Sequence, residues 1–209
     1  MVVEGPIGVG KTSLARRLAH ALALEPLLEA PDDNPFLARF YEDRRTYALP
    51  AQLFFLFQRR RLLEGLAQAD FLRGGVVANF LWAKDRVFAR VTLDDDEWRL
   101  YEQIADGLSP PARAPDLVIF LQAPVDVLME RIRQRARGYE RIDRGYLAEL
   151  GAAYTEFFYH YQESPLLMVN AAEANFVENE QDLASLIACA RGIRNGRHFF
   201  NPLASGFGS

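Results

Sequence analysis

An eight-residue glycine-rich segment near the start constrains this chain more than any other feature. Residues 5–12 read Gly-Pro-Ile-Gly-Val-Gly-Lys-Thr, which matches the pattern GxxxxGK[ST] at every position. Two valines precede the segment and predict a strand, while Leu14, Leu18 and Leu22 lie four residues apart and predict a helix after it. A strand, a tight glycine turn and a helix form the context in which this pattern binds phosphate.

Each part of this loop has a chemical task. The backbone N–H groups point inward at a phosphate, and Gly5, Gly8 and Gly10 are needed because a Cβ would block that approach. Lys11 supplies a mobile positive charge for the β- and γ-phosphates, and Thr12 supplies a hydroxyl for Mg²⁺. The alternative is a chance match in a glycine-rich turn, which would not require the flanking strand and helix. The pattern predicts ATP and Mg²⁺ as donor and cofactor, but it does not identify the acceptor.

The composition argues against several other classes of protein. With 209 residues, half of them hydrophobic and a quarter charged, the chain suits one α/β domain and is short for two. The formal net charge of −4 argues against binding nucleic acid by bulk electrostatics. No apolar run is long enough to span a membrane, and a single cysteine argues against a disulfide framework. We therefore expect a cytoplasmic enzyme with small-molecule partners, neither nucleic acid nor a membrane.

Five short apolar segments alternate with helical patterns along the chain. The apolar segments read VVE, LEPLLE, VVANF, LVIFLQ and LLMVNA, and a long helix is predicted over residues 50–72. This alternation predicts an α/β fold with a doubly wound five-stranded parallel sheet and flanking helices, and the glycine loop marks it as a P-loop fold. We assign residues 1–195 to this domain and residues 196–209 to a C-terminal tail.

Candidate site residues lie where the predicted strands end, because ligands of open parallel sheets bind beyond the carboxyl ends of the strands. Glu29 ends the second strand, Asn79 ends the third, and Pro124 follows the fourth. The segment at about residues 131–144 carries six arginines, at positions 131, 133, 135, 137, 141 and 144. Its acidic residues are fewer, so we expect an anion site there, although an ordinary solvated helix face is the alternative.

Five segments together resemble the deoxynucleoside kinase family, and in particular its bacterial deoxyguanosine and deoxyadenosine kinase branch. They are EGPIGVGKTSLA, NPFLxxFYED, YALPxQLFFLFQR, KDRVFA and RQRARxxER, in this order over nearly the whole chain. The resemblance implies transfer of the γ-phosphoryl group of ATP to the 5′-hydroxyl of a purine deoxyribonucleoside. It favours deoxyguanosine first and deoxyadenosine second, and it implies a homodimer.

The resemblance also implies roles for individual residues. Glu29 is expected to accept the proton of the 5′-hydroxyl, with Lys11 and Arg135 completing the catalytic set. The resemblance implies a P-loop kinase fold with an arginine-rich lid at about residues 131–144, and the lid arginines expected to bind ATP are Arg131, Arg135 and Arg137. The remaining substrate contacts implied are Tyr41 and Glu140 to the sugar, Gln52, Phe55 and Phe80 to the base, and Asn79 near the 5′ end. A solvated strand end for Glu29 and a water-facing helix residue for Gln52 are the alternatives.

The third strand departs from the family pattern. An acidic residue followed by Arg or Tyr is expected there, whereas this chain has Asn79 and Phe80. Asn79 carries no charge and is a weaker partner for Mg²⁺ than a carboxylate. Three outcomes are open: an active enzyme, a slow enzyme or one of shifted preference, and a relative that binds nucleotide without efficient transfer. A nucleoside monophosphate kinase is a further alternative, although Glu29 would repel a phosphate acceptor.

Overall fold

A parallel sheet forms the centre of the computed structural model, which describes residues 1–69, 74–108, 114–135, 138, 140–176 and 178–202. Its six strands are β1 (Val2–Glu4), β2 (Glu25–Leu27), β3 (Val76–Ala78), β4 (Val118–Gln122), β5 (Leu166–Asn170) and β6 (Arg197–Phe200). The order in the sheet is β2-β3-β1-β4-β5-β6, and every neighbouring pair is parallel. The chain therefore winds outward from β1 in both directions, which confirms the predicted doubly wound α/β class.

The sheet has six strands where the sequence predicted five. The additional strand, β6, lies in the segment that we assigned to the tail, and it pairs with β5 from Leu166 opposite Arg197 to Val169 opposite Phe200. Three of its four residues are exposed. The apolar pattern that identifies a buried strand is therefore absent, and the segment escaped prediction for that reason. Residues 203–209 of the tail lie outside the described part of the chain.

Helices cover both faces of the sheet. In the described residues they are α1 (Lys11–Leu22), α2 (Leu37–Glu42), α3 (Arg44–Ala69), α4 (Asp85–Thr92), α5 (Asp95–Leu108), α6 (Val125–Arg135), α7 (Arg144–His160) and α8 (Glu180–Gly192). Helix α3 begins six residues before the predicted start, so Pro50 lies inside it rather than at its N-terminus. None of the helices in the described ranges is both long and apolar enough to cross a membrane.

The central strands divide the core into two parts. Successive side chains of a strand point to opposite faces of the sheet. Accordingly Val3 and Ile119 belong to one buried cluster, together with the leucines of α1, whereas Val2 and Phe120 belong to another, which contains Tyr154 of α7. Strands β1 and β4 are thus buried on both faces, and they give the loop that follows β1 a rigid base.

Candidate active site

A cavity of about 1030 Å³ opens at the carboxyl ends of the central strands. Most of the predicted site residues line it: Gly8, Gly10, Lys11, Thr12, Glu29, Tyr41, Gln52, Phe55, Arg131, Arg135 and Glu140. Gly5, Asn79 and Phe80 are not among the lining residues, and Arg137 lies outside the described part of the chain. Predicted residues from six separate segments of the sequence thus meet in one crevice, where the order of the strands requires a ligand to bind.

The glycine loop between β1 and α1 depends on its glycines for packing as well as for phosphate access. Gly5 has a φ of 150°, and a Cβ there would lie 2.5 Å from the carbonyl oxygen of Leu121. Gly8 has a φ of 85°, and a Cβ there would lie 2.8 Å from a side-chain carbon of Ile132. At Gly10 no atom lies within 4 Å of such a Cβ, so its positive φ of 101° is the constraint. Two of the three glycines therefore fit the loop tightly against β4 and α6.

Lys11 folds back over this loop. Its Nζ donates hydrogen bonds to the carbonyl oxygens of Gly5 at 2.7 Å and Pro6 at 3.1 Å. Burial and the nearby charge of Lys84 lower the pKa of Lys11 to about 8. The ammonium is therefore held close to the backbone N–H groups that would receive a phosphate.

Glu29 lies two residues beyond the end of β2, and its side chain is 9% exposed. This burial excludes the alternative of a solvated strand end. Arg59 donates to Oε2 through Nε at 2.8 Å and Nη2 at 2.6 Å, while Oε1 is 3.6 Å from Nζ of Lys84. Burial raises the pKa of Glu29, but Arg59, Lys84 and Lys11 lower it further, to about 2. The carboxylate is ionised at neutral pH, and Oε1 keeps capacity to accept a proton.

A network of buried charges extends from Glu29 in two directions. Arg59 also pairs with Asp85, and Lys84 lies 3.3 Å from Oε1 of Glu4. Glu4 itself is fully buried at the end of β1. Its carboxylate accepts hydrogen bonds from the backbone N–H of Gly5 at 3.0 Å and of Leu81 at 2.7 Å, and from the hydroxyl of Tyr154 at 3.2 Å. The network thus connects Gly5, at the start of the phosphate loop, to the carboxylate of Glu29.

Sequence reasoning did not identify Glu4 or Asp85 as members of the site. Glu4 is the last residue of β1 and Asp85 is the first of α4, and both are at most 1% exposed. The available signal was a carboxylate directly before the glycine loop and a Lys-Asp pair in a chain with only two lysines. Charged residues are rarely buried without a partner, so such positions indicate a buried ion-pair network.

Asn79 is buried beneath the cavity and connects two of its walls. Its Oδ1 accepts a hydrogen bond from the backbone N–H of Glu29 at 2.9 Å, and its Nδ2 donates to Oγ1 of Thr12 at 2.9 Å. The backbone donor fixes the orientation of the amide, because only the oxygen can face an N–H group. Thr12 therefore receives a hydrogen bond on its oxygen.

The residues expected to contact the base differ in their placement. Gln52 is 4% exposed, which excludes the alternative of a water-facing helix residue. Its Nε2 donates to Oγ1 of Thr92 at 3.2 Å, and that hydroxyl in turn donates to the carbonyl oxygen of Phe88 at 2.8 Å. Phe55 lines the cavity, but Phe80 is 2% exposed within the core cluster that contains Tyr154. Its ring packs in the protein interior, so the expected contact of Phe80 with the base has no support in this structure.

The described part of the lid closes one side of the cavity. Arg131 donates to the carbonyl oxygen of Ala171 at 2.9 Å, directly after β5. Arg135 forms an ion pair with Glu140 at 2.5 Å. The pair joins a side chain predicted to contact phosphate with one predicted to contact the sugar. These two contacts thus attach the C-terminal part of α6 to residues that line the cavity.

The glycine loop and the carboxylate of Glu29 line the same cavity, and the parallel sheet with its flanking helices has the fold of a P-loop kinase. A family model described as deoxynucleoside kinase matches residues 1–192. The chain belongs to the deoxynucleoside kinase family, whose curated relatives are transferases, and the predicted family is thereby confirmed.

Curated relatives span nearly the whole chain. A deoxyguanosine kinase of Bacillus subtilis is 31% identical over 90% of this chain and 94% of its own length. A deoxyadenosine kinase of Dictyostelium discoideum is 33% identical over 100% of this chain and 85% of its own length. A deoxyadenosine kinase of Lactobacillus acidophilus is 28% identical over 86% of this chain and 88% of its own length.

Solved structures have the same fold. The structure of a deoxyadenosine kinase from M. mycoides with the products dCMP and a flexible dCDP has a TM-score of 0.78 and 22% identity, covering 92% of this chain and 99% of the other. The structure of that kinase with bound dATP has a TM-score of 0.77 and 23% identity, covering 92% of this chain and 100% of the other. At these identities the similarity establishes the fold.

Proposed function

We propose that this deoxynucleoside kinase transfers the γ-phosphoryl group of ATP to the 5′-hydroxyl of a purine deoxyribonucleoside, with deoxyguanosine preferred and deoxyadenosine second. The observation that carries the proposal is the buried, ionised Glu29, whose side chain lines the same cavity as the phosphate loop. The names of the relatives, deoxyguanosine kinase and deoxyadenosine kinase, support a purine acceptor.

In this reaction the residues divide into an acceptor side and a donor side. On the acceptor side, Oε1 of Glu29 accepts the proton of the 5′-hydroxyl while the hydroxyl oxygen forms its bond to the γ-phosphorus. The bond from that phosphorus to the oxygen of ADP breaks. On the donor side, the positive charges of Lys11, Arg131 and Arg135 neutralise the transferring group. Tyr41 and Glu140 are proposed to hold the sugar.

The site suits Mg²⁺ held mainly by the phosphates of the nucleotide. Thr12 brings a hydroxyl oxygen to the cavity, and within the described ranges no group of three or more His, Cys, Asp or Glu residues could hold a metal ion alone. Mg²⁺ commonly keeps several waters and takes only one or two protein oxygens beside substrate phosphates, so Thr12 fits such a site. When bound, the ion would offset negative charge on the β- and γ-phosphates.

A nucleoside monophosphate kinase is a less suitable function for this cavity. A monophosphate acceptor needs an arginine that is available for its phosphate. Arg59, which lies beside the predicted acceptor position, is already paired with Glu29 and Asp85. Glu29 is itself anionic, so this wall suits a neutral hydroxyl group better than a phosphate.

The direct test uses purified protein with ATP, Mg²⁺ and, in separate reactions, each of the four deoxynucleosides and each of their 5′-monophosphates, with the product identified by mass spectrometry. The expected result is a 5′-monophosphate formed fastest from deoxyguanosine and next from deoxyadenosine. Phosphorylation of a deoxynucleoside monophosphate instead would favour the rival enzyme. Tight ATP binding without any product would favour a nucleotide-binding relative weakened by Asn79.

Asn79→Asp is expected to strengthen Mg²⁺ binding by about tenfold, in the range found for groups that orient metal ligands. A carboxylate would still accept from the backbone N–H of Glu29. It would accept the Thr12 proton instead of donating to Oγ1, which would free that oxygen for the cation. Calorimetric Mg²⁺ titration of the complex with a non-hydrolysable ATP analogue measures the change. Asn201→Asp, an exposed substitution, is the control, and an unchanged Mg²⁺ affinity in Asn79→Asp would contradict this role.

ATP binding is expected to take up about one proton at pH 9 and almost none at pH 7. Without nucleotide, burial and the charge of Lys84 hold the pKa of Lys11 at about 8, so the side chain is mostly neutral at pH 9. A bound triphosphate favours the ammonium, so ATP affinity should fall as the pH rises above 8. Calorimetry in buffers of different ionisation enthalpy measures the proton uptake. Lys11→Ala should abolish the uptake, and equal uptake in that variant would assign it elsewhere.

We further infer that the enzyme is a cytoplasmic homodimer. The exposed side chains of Phe57 on α3 and Leu100 on α5, at 43% and 47%, support an association surface on these helices. Sedimentation velocity at micromolar concentration tests the oligomeric state, and a monomer under those conditions would refute the dimer.

A further inference from the structure

Lys84 is a buried cation at the cavity, and it does not belong to the phosphate loop. It is one of only two lysines in the chain, and its side chain is 1% exposed. Its Nζ lies 3.3 Å from Oε1 of Glu4 and 3.6 Å from Oε1 of Glu29. The residue lines the cavity, with its ammonium 5.2 Å from the centre of the Phe88 ring.

The ammonium of Lys84 is held by charge without a short hydrogen bond to either carboxylate. Hydrogen bonds between charged nitrogen and oxygen are normally about 2.7–2.9 Å long. Arg59 reaches Glu29 at 2.6 and 2.8 Å, whereas both contacts of Lys84 are longer than 3 Å. An ammonium has three N–H donors. Lys84 therefore retains the capacity to donate to a further partner, and the cavity is the place from which a partner can approach.

The position of Glu29 identifies that partner. A hydroxyl that gives its proton to Oε1 must lie within about 2.6–3.2 Å of it. Nζ of Lys84 is a neighbour of the same oxygen atom. The second cation at this wall, Arg59, is engaged by Glu29 and Asp85, and Asn79 brings no charge. Lys84 is thus the cation placed to meet the hydroxyl oxygen that Glu29 activates.

We propose that Lys84 is a catalytic residue whose ammonium donates a hydrogen bond to the oxygen that attacks phosphorus. This inference rests on the proposed function. As Oε1 of Glu29 takes the hydroxyl proton, negative charge develops on that oxygen, and the bond to phosphorus forms while the bond to ADP breaks. Lys84 keeps its proton throughout and stabilises the developing charge, in the way that preorganised donors do in other enzymes.

Lys84→Met is the first test, because methionine preserves most of the length and removes the charge. The expected result is a kcat lower by roughly 10²-fold, the lower end of the loss seen when one such donor is removed. Binding of a non-hydrolysable ATP analogue should be retained. Arg86→Met, which removes a cation two residues further along the chain from an exposed pair with Asp106, is the matched control and should keep wild-type kcat. Wild-type turnover in Lys84→Met would overturn the proposal.

The double variant Glu4→Gln/Lys84→Met distinguishes a catalytic role of Lys84 from a role that only balances the charge of Glu4. Both members of that buried pair are then neutral, and glutamine still offers an oxygen to the N–H groups that Glu4 serves. Replacing a buried ion pair completely is often close to neutral for stability. The catalytic role predicts that turnover stays roughly 10²-fold low. Recovered turnover, or a double variant that does not fold, would overturn the proposal. A wild-type enzyme that phosphorylates no deoxynucleoside would refute the proposed function instead.

Discussion

Glu29→Gln is expected to lower kcat by about 10³-fold, within the range of 10² to 10⁴ for loss of a general base. Glutamine preserves the size of the side chain and still offers an oxygen to Arg59, but it cannot accept the hydroxyl proton. The phosphate loop belongs to a different segment, so affinity for an ATP analogue should be retained. Steady-state kinetics with deoxyguanosine and calorimetry with the analogue measure the two quantities separately.

The control for this substitution is Glu42→Gln, which alters an exposed carboxylate at the end of α2, outside the residues that line the cavity. It should leave kcat and ATP binding unchanged. Equal turnover in Glu29→Gln and wild type would remove Glu29 from the role of base. Loss of ATP binding together with turnover would instead show that Glu29 acts through the structure of the loop.

Arg59→Met is expected to lower the free energy of unfolding by about 3–5 kcal/mol, the usual cost of removing one partner from a buried ion pair. The guanidinium is shared by Glu29 and Asp85, and all three side chains are at most 9% exposed. Without it, two carboxylates remain in the interior with one fewer positive charge. Urea denaturation followed by circular dichroism measures the loss.

The pH dependence of this loss has a definite sign. The folded-state pKa of Glu29, about 2, is below the ordinary value of 4.5, so its contribution to stability is present above pH 4.5 and is lost as the pH falls towards 2. The difference between wild type and Arg59→Met should therefore be largest at neutral pH. It should shrink in acid, where a protonated carboxyl no longer needs a counter-ion.

Arg60→Met is the matched control for Arg59→Met, because it removes the next arginine of the same helix. Arg60 pairs with Glu64 one turn away, and these side chains are 35% and 45% exposed. Exposed pairs of this kind contribute less than about 1 kcal/mol. If both substitutions lowered the free energy of unfolding by the same small amount, burial would not be what makes the Arg59 ion pairs stabilising.

The sequence was most informative where a local pattern has one structural solution. The glycine loop could be predicted with its strand and helix because the spacing of its residues permits little else, and the strand ends located Glu29. The edge strand β6 could not be predicted, since its exposed residues lack an apolar pattern. Helix α3 was predicted to start at about Pro50, yet the helix extends upstream to Arg44.

The finer chemistry of the site depends on distances that no pattern encodes. Phe80 comes shortly after the third strand in the sequence, at a position typical of ligand-binding residues. Its ring nevertheless packs in the core. Asn79 was predicted from the sequence to depart from the family pattern, whereas its two hydrogen bonds follow only from the fold. The partnership of Glu4 with Lys84 joins residues 80 positions apart, and long-range pairs of this kind depend on the packing of the complete domain.

The pairing of β6 with β5 has a consequence for any shortened version of the protein. A chain ending at residue 195 would leave the outer backbone groups of Leu166–Asn170 without the partners that β6 provides. Unprotected apolar strand edges recruit other chains, which leads to aggregation. A truncation placed there would be expected to yield insoluble material, whereas a cut after Pro202 would keep the protecting strand.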